Sequence, residues 1–455
     1  MWLRRRLLIA AFAAVSFNVA GARAAMPVED YVHDPMPPGF QVLFNELEGP
    51  VFADAQGHTL YKWPQGRLRA GNAGEIPFTP TCDDRVYRES AGYATPYPGG
   101  LELPDLDKRP SCVQLWPPVL AAADAKPIGK WAIATRPDGR KQWTYDGWAL
   151  YTSNLDKRPG DVWGGSAFYA AGGGFADGGV PRVPVRPDSN VPGQFTVTTT
   201  MKGRLVSLKN GRSVYSYDGD GRSKSNCLDA CLNEEWEPVL AAAYARSVGE
   251  WTVIARSPGV YQWAFQGKPI YLHLSDSKIR SQEGGDVPRW HNVYTQLAPP
   301  PPKGFVLKET WMGELLGDAR GMTVYGYRCV DDAVDQQACD NPDSPQVYRL
   351  AMCGGGDPDV CLKTFPYVIA ATQSDGQVWS TMYIDPKTGK RAMAGQPGAL
   401  NVWAFRGRPV YTFAGRNGYG DESPGDFKAH AWGEYEGTRN GYHALVYRDD
   451  FGARG

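Results

Sequence analysis

One ten-residue phrase is written three times in this chain: QWTYDGWALY at Gln142–Tyr151, QWAFQGKPIY at Gln262–Tyr271, and, with its first residue changed, VWAFRGRPVY at Val402–Tyr411. A recurring catalytic site would repeat His, Asp, Ser or Cys. What persists is Trp, an aromatic, Gly, an apolar residue and Tyr, the composition of a packed hairpin. At 455 residues the chain exceeds what a single hydrophobic core usually supports, and the length alone suggests about three domains.

Other elements recur around the phrase. Three segments start alike at Pro38, Pro192 and Pro302, and from Phe40, Phe195 and Phe305 the first Tyr follows at nearly constant spacing, at Tyr61, Tyr215 and Tyr325. A second block places Trp116, Trp131 and Trp143 in step with Trp236, Trp251 and Trp263, and Phe365, Trp379 and Trp403 take these places in the third copy. Such regularity points to duplication of a folded unit. Short runs of Val, Ile, Thr, Tyr and Trp broken by Asp138-Gly139, Asp146-Gly147, Gln266-Gly267 and Arg406-Gly407 predict antiparallel strands and hairpins. The stretches VLAAADA and VLAAAYA suggest a single helical turn each. With 53 Gly and 37 Pro, long helices are disfavoured. The expected fold is mainly β: tandem antiparallel β-sheet modules, three in number with six half-repeats, packed side by side or closed into a propeller-like ring. Composition shifts near Ala170 and at the Pro299 run place the modules at 35–175, 188–298 and 299–455.

Residues 1–24 have the form of an export signal: basic Arg4, Arg5 and Arg6, an apolar stretch from Leu7, and small Ala22 and Ala24 before a cleavage point near Ala25. No Cys follows that stretch to accept a lipid, and no later segment has the roughly 18 to 20 apolar residues of a membrane span. A periplasmic or secreted location is expected. The eight cysteines, Cys82, Cys112, Cys227, Cys231, Cys329, Cys339, Cys353 and Cys361, are then disulfide candidates. Their positions group Cys82 with Cys112, Cys227 with Cys231, and the last four together. Neither C-x-x-C nor C-x-x-C-H occurs, so a thiol-redox centre and a covalent haem have no anchor.

The chain resembles the secreted-repeat or predicted-lipoprotein family recognised by a Tyr-x-aromatic-x-x-Asp motif. Tyr215, Tyr217 and Asp220 fit the motif fully; Tyr151 and Asp156 enclose Ser153, Tyr271 and Asp276 enclose His273, Tyr61 and Trp63 lack the Asp, and Tyr411 and Phe413 lead to Arg416. The resemblance implies export and a repeated β unit, and carries no reaction with it. In a strand Tyr215 and Tyr217 share a face, and Asp220 falls in the turn beyond, where a carboxylate accepts backbone N–H bonds. These residues are expected to be core aromatics and turn-fixing carboxylates.

Net charge is −1 with Lys and Arg scattered, so the footprint of a nucleic-acid binder is missing. The stretch Asp218-Gly219-Asp220-Gly221 starts like a calcium loop but lacks its continuation, and H-E-x-x-H, G-x-S-x-G, Walker and dinucleotide fingerprints are all absent. No cofactor is expected. The leading expectation is a non-catalytic binding or scaffolding protein with an unknown protein or cell-envelope partner. One alternative is an accessory in periplasmic redox or metal handling, with Tyr215, Tyr217, Tyr271 and His273 around a cofactor; another is a glycan binder or glycan-active protein.

Overall fold

The computed structural model describes residues 29–62, 82–84, 110–164, 183–276, 279–310, 313–327, 349–350, 357–414 and 442–449. The export segment, Cys329, Cys339 and Cys353 lie outside them. The fold is mainly β, built from many antiparallel sheets, none of which closes into a barrel.

The first module runs β1 (Gln41–Asn45), β2 (Gly49–Ala53), β3 (Tyr61–Lys62), α1 (Cys112–Leu115), β4 (Trp131–Thr135), β5 (Lys141–Tyr145) and β6 (Trp148–Ala149), and β7 (Val183–Pro184) follows it in the stretch before the second. The second holds β8 (Phe195–Thr200), β9 (Gly203–Leu208), β10 (Tyr215–Tyr217), α2 (Asp229–Leu232), β11 (Trp236–Pro238), β12 (Leu240–Ala241), β13 (Trp251–Ser257), β14 (Val260–Phe265), β15 (Lys268–His273), β16 (Trp290–Asn292) and β17 (Tyr294–Leu297). The third holds β18 (Val306–Thr310), β19 (Gly313–Gly317), β20 (Tyr325–Tyr327), α3 (Pro358–Thr364), β21 (Trp379–Ile384), β22 (Leu400–Phe405), β23 (Arg408–Tyr411), β24 (Tyr442–Ala444) and β25 (Val446–Asp449).

Each module has one plan. An opening hairpin (β1–β2, β8–β9, β18–β19) leads to a short Tyr strand (β3, β10, β20); a second hairpin (β4–β5, β13–β14, β21–β22) leads to another (β6 with Tyr151 following it, β15, β23). The two Tyr strands of a module meet: Tyr61 pairs with Tyr151, Tyr215 with Tyr271, and Tyr325 with Tyr411. The six half-repeats therefore close in pairs. A returning segment seals each module on the other side of the first Tyr, at Pro184, Asn292 and Ala444. In the first module this is β7, within the glycine-rich stretch that separates the repeats.

The repeated phrase is the second strand of each second hairpin, the turn after it and the Tyr strand that follows. Asp146, Gln266 and Arg406 have φ of 50°, 49° and 49°, and the glycines after them 83°, 76° and 72°. Two successive residues with positive φ define the type I′ turn, whose twist matches that of the strands it joins, and this is why glycine persists there. The VLAAA stretches are not helical. Leu240–Ala241 is strand β12, Leu120 bridges to Gln142, and tight turns closed by Ala125 N–H to Ala122 O and Ala245 N–H to Ala242 O follow. Pairing with the neighbouring hairpin overrides alanine's helical preference.

The rings fill the interiors. Phe40 stacks on Trp131 at 4.7 Å and meets Trp143 edge-on at 5.8 Å; Phe195 repeats this with Trp251 at 4.4 Å and Trp263 at 5.9 Å, and Phe305 with Trp379 at 5.1 Å and Trp403 at 5.8 Å. Both arrangements are favoured by ring quadrupoles. The modules also share a core. Leu47, at the tip of β1–β2, and Met201, at the tip of β8–β9, pack with Leu316, Val324, Trp379 and Trp403 of the third module.

Candidate functional site

The motif residues come together in pairs across the Tyr strands. In the second module, Tyr215 Oη donates to Asp276 Oδ2 at 2.7 Å and Tyr271 Oη donates to Asp220 Oδ2 at 2.7 Å, so each tyrosine of one half-repeat is held by the carboxylate of the other. Asp220 Oδ1 also accepts from the backbone N–H of Asn226 (2.7 Å) and Cys227 (3.1 Å), which ties the turn beyond β10 to the disulfide. Asp276 Oδ1 faces His273 Nδ1 at 3.0 Å. Burial first, and then the adjacent Asp276, push the Tyr215 phenol up; burial is also the main cause for Tyr271, pushed up to about 12. Both are fixed phenol donors.

Among the described residues the first module repeats the bond of its first tyrosine. Tyr61 Oη donates to Asp156 Oδ2 at 2.7 Å, and Gly164 N–H to Asp156 Oδ1 at 3.1 Å. Burial outweighs these bonds and raises the Asp156 carboxyl to about 8, while Tyr61 is pushed well up by burial and by Asp156. In the third module, Arg349 stands among the rings instead. Its Nη1 donates to Tyr442 Oη at 2.8 Å, and its guanidinium lies 4.2 Å from the Tyr411 ring centre and 4.7 Å from that of Tyr367.

Indole and phenol rings are packed behind these bonds. Tyr61, Tyr151, Tyr215 and Tyr271 are fully buried. Tyr61 meets Trp116 edge-on at 5.3 Å and Tyr215 meets Trp236 in the same way at 5.3 Å, while Trp236 stacks on Trp290 at 3.6 Å. Tyr217 is half-buried, capped by Arg289 at 4.7 Å. His273 lies against Trp236, its ring centre 4.6 Å away. Cys82 is joined to Cys112 and Cys227 to Cys231, and Cys361 is also disulfide-bonded.

Some of the remaining carboxylates have separate partners. Asp218 bonds His291 at 2.9 Å on the surface; Asp161 accepts from the backbone N–H of Lys157 and Arg158, and Asp286 pairs with Arg448. Among the described residues no group of three His, Cys, Asp or Glu is placed to hold a metal.

Three features were not singled out from the sequence. The first is a clamp that is built twice. Arg136 Nη1 donates to Gln142 Oε1 at 2.5 Å, Arg136 Nη2 to Cys82 O at 2.6 Å, and Gln142 Nε2 to Leu150 O at 2.7 Å. Arg256, Gln262, Cys227 and Ile270 repeat it at 3.0, 2.6 and 3.0 Å. The strand register puts Ile384 and Val402 in these places in the third module, so both polar partners are replaced together. The second is a buried ionic junction. Glu48 receives Arg186 (2.5 Å), Arg406 (3.0 Å) and Thr199 Oγ1 (2.9 Å), and Arg204 pairs with Glu29 at 2.7 Å. Burial opposes ionisation of Glu48, but Arg186, Arg406 and Arg204 hold it down to about 2.

The third is a cleft of about 1370 Å³ in the first module, lined by segments 36–40, 54–58, 117–128 and 152–157. Its wall is rich in proline, with Pro37, Pro38, Pro117, Pro118 and Pro127, and carries the partly exposed Leu120 and Ile128. Asp54, His58, Asp124, Lys126 and Asn154 supply polar groups, and Asp156 borders it.

Fold and site together define a class: a β-repeat protein whose half-repeats are closed by paired tyrosine strands and internal carboxylates. Residues 132–165 match a family described as a secreted repeat of unknown function. The matched segment spans β4 to β6, Tyr151, Asp156 and the Gly164 N–H that holds Asp156. No curated protein and no solved structure matches the chain. Among the described residues no helix is long and apolar enough to cross a membrane.

Proposed function

We propose that the chain is an exported, non-catalytic binding or scaffolding protein of the periplasm or cell exterior, with modules at 35–175, 188–298 and 299–455. The cleft in the first module carries this reading. The repeated Tyr and Asp residues spend their hydrogen bonds on one another, whereas the cleft also presents Leu120, Asp124, Lys126 and Ile128, which take no part in those tyrosine–carboxylate bonds. A concave site with apolar walls and a few polar groups is the usual form of a ligand site. Module 1 then contacts the ligand and the other two brace it through Leu47 and the Glu48 junction.

The test is retention of the mature protein on peptidoglycan, on a polysaccharide array and on immobilised envelope proteins, alongside Leu120→Asp and Ile128→Asp. Both side chains are partly exposed, so the variants should fold. Retention by wild type and its loss in both variants supports the reading and tells glycan from protein. Equal retention of wild type and variants refutes the cleft as the contact. Stoichiometric copper, iron or calcium in protein purified without tag or chelator replaces binding with metal handling.

A further inference from the structure

Among the described residues, the junction where the three modules meet holds more positive charge than its carboxylates cancel. Three guanidinium groups, Arg186, Arg204 and Arg406, face two carboxylates, Glu48 and Glu29, and all five residues are largely buried. Arg204 is matched by Glu29. Arg186 and Arg406 share the single charge of Glu48. Among the described residues one positive charge of this pair is left over, and Arg406 is the more buried of the two at 2 % exposed.

The bonds of Arg406 show which edge is unmet. Its Nη2 takes Glu48 Oε1 at 3.0 Å and Val162 O at 3.4 Å, whereas Nε and Nη1 have no hydrogen-bond partner among the described residues. A buried donor without an acceptor is costly, more so when it is charged. The backbone that carries Arg406 is fixed. That residue occupies the first position of the β22–β23 turn with φ of 49°, and the next residue, Gly407, is so close to the Trp163 ring that a Cβ there would lie 2.4 Å from Cδ2. Trp163 is itself fixed by its Nε1 bond to Gln377 O at 2.9 Å.

Arg406 borders a cavity of about 20 Å³ between the first and third modules. Its described lining includes Trp163, Tyr327, Arg391 and Arg408 and no carboxylate; Arg391 and Arg408 have partners of their own. A space of this size holds a water-sized species, not a phosphorylated metabolite or a sugar. We infer that this cavity is a site for a monatomic halide, chloride in the cell's surroundings, held by Arg406 Nε and Nη1 and joining the first module to the third. The halide supplies the missing negative charge and accepts the two unmet N–H groups.

The experiment is diffraction from crystals of the mature chain grown in sodium bromide, read by anomalous scattering, with melting temperatures in chloride and in gluconate at equal ionic strength. An anomalous peak within hydrogen-bonding distance of Arg406, and a melting temperature higher in chloride than in gluconate, are expected. Arg406→Lys keeps a cation for Glu48 but lacks the two-nitrogen edge, and should weaken halide dependence by about tenfold or more. The bromide crystals of the unaltered chain decide the matter even if that variant fails to fold. No bromide at Arg406, or equal melting temperatures in chloride and gluconate, overturns the inference.

Discussion

The two crossed bonds of the second module are equal in length but not in what each leaves behind when cut. Tyr271→Phe removes one donor from Asp220, which still accepts the backbone N–H groups of Asn226 and Cys227. A hydrogen bond to a charged group contributes about 1.5–3 kcal/mol, and with two donors retained the loss belongs at the lower end. Tyr215→Phe leaves Asp276, whose side chain is 1 % exposed, with the His273 ring as its remaining side-chain partner among the described residues. A buried carboxylate stripped to one donor costs more, so the loss should reach about 3 kcal/mol. Urea unfolding followed by tryptophan fluorescence suits the comparison, because Trp236 and Trp290 stack in the same cluster. Tyr215→Phe should exceed Tyr271→Phe by about 1 kcal/mol. The reverse order, or losses under about 0.5 kcal/mol for both, would show that the phenol–carboxylate bonds are not what closes the module.

Three further outcomes are expected. Leu47→Ala should cost about 2–4 kcal/mol and should weaken hydrogen-exchange protection in β22 of the third module; unchanged protection there would mean that the shared core is not cooperative. Gln142→Val alone leaves Arg136 and Leu150 O short of partners and should cost about 1–3 kcal/mol, whereas adding Arg136→Ile reproduces the third module's pair and should cost less than the sum of the single changes; strict additivity in a double-mutant cycle would refute the clamp. For Asp156, the fold keeps the carboxyl protonated up to about 8 while the unfolded chain loses the proton above 3.8. Stability contributed here is therefore complete below about pH 4 and declines as pH rises towards 8, by up to about 1.4 kcal/mol per pH unit, a ceiling because Asp156 borders the cleft. Asp156→Asn should flatten that decline in denaturation curves at pH 5, 6 and 7; parallel curves for the two proteins would show the carboxyl already ionised.

The mainly β fold and its ring-filled interiors were legible because duplication writes the same interior three times. Phe40, Trp131 and Trp143 recur at matched positions, and the x-Gly dipeptide at each turn states its backbone geometry directly. What was not legible is whatever crosses between copies. The Tyr-x-aromatic-x-x-Asp pattern places the tyrosine and the carboxylate in one half-repeat, yet Tyr215 bonds the Asp of the other half, because the two Tyr strands run antiparallel. Linear spacing cannot express that exchange. The Arg136–Gln142 clamp did leave a trace, an Arg six residues before Gln in two copies with both absent from the third. The Glu48 junction left none, since its members come from separate segments and the one at a repeated position, Arg406, is replaced by Asp146 and Gln266 in the other copies.

The same crossing explains why tyrosine persists while its partner changes sign. A buried phenol can donate to a carboxylate or accept from a cation, and its ring face also attracts a guanidinium. The second module satisfies its two tyrosines with Asp220 and Asp276, and the first holds Tyr61 with Asp156. The third, with Val330 and Arg416 where Asp would stand, sets Arg349 against Tyr411, Tyr367 and Tyr442. A serine or a phenylalanine at the Tyr position could not have tolerated that reversal, the first lacking the ring and the second the hydroxyl. The invariant demand at the centre of each module is thus for an amphoteric aromatic group, and the carboxylate of the motif is one of two solutions to burying it.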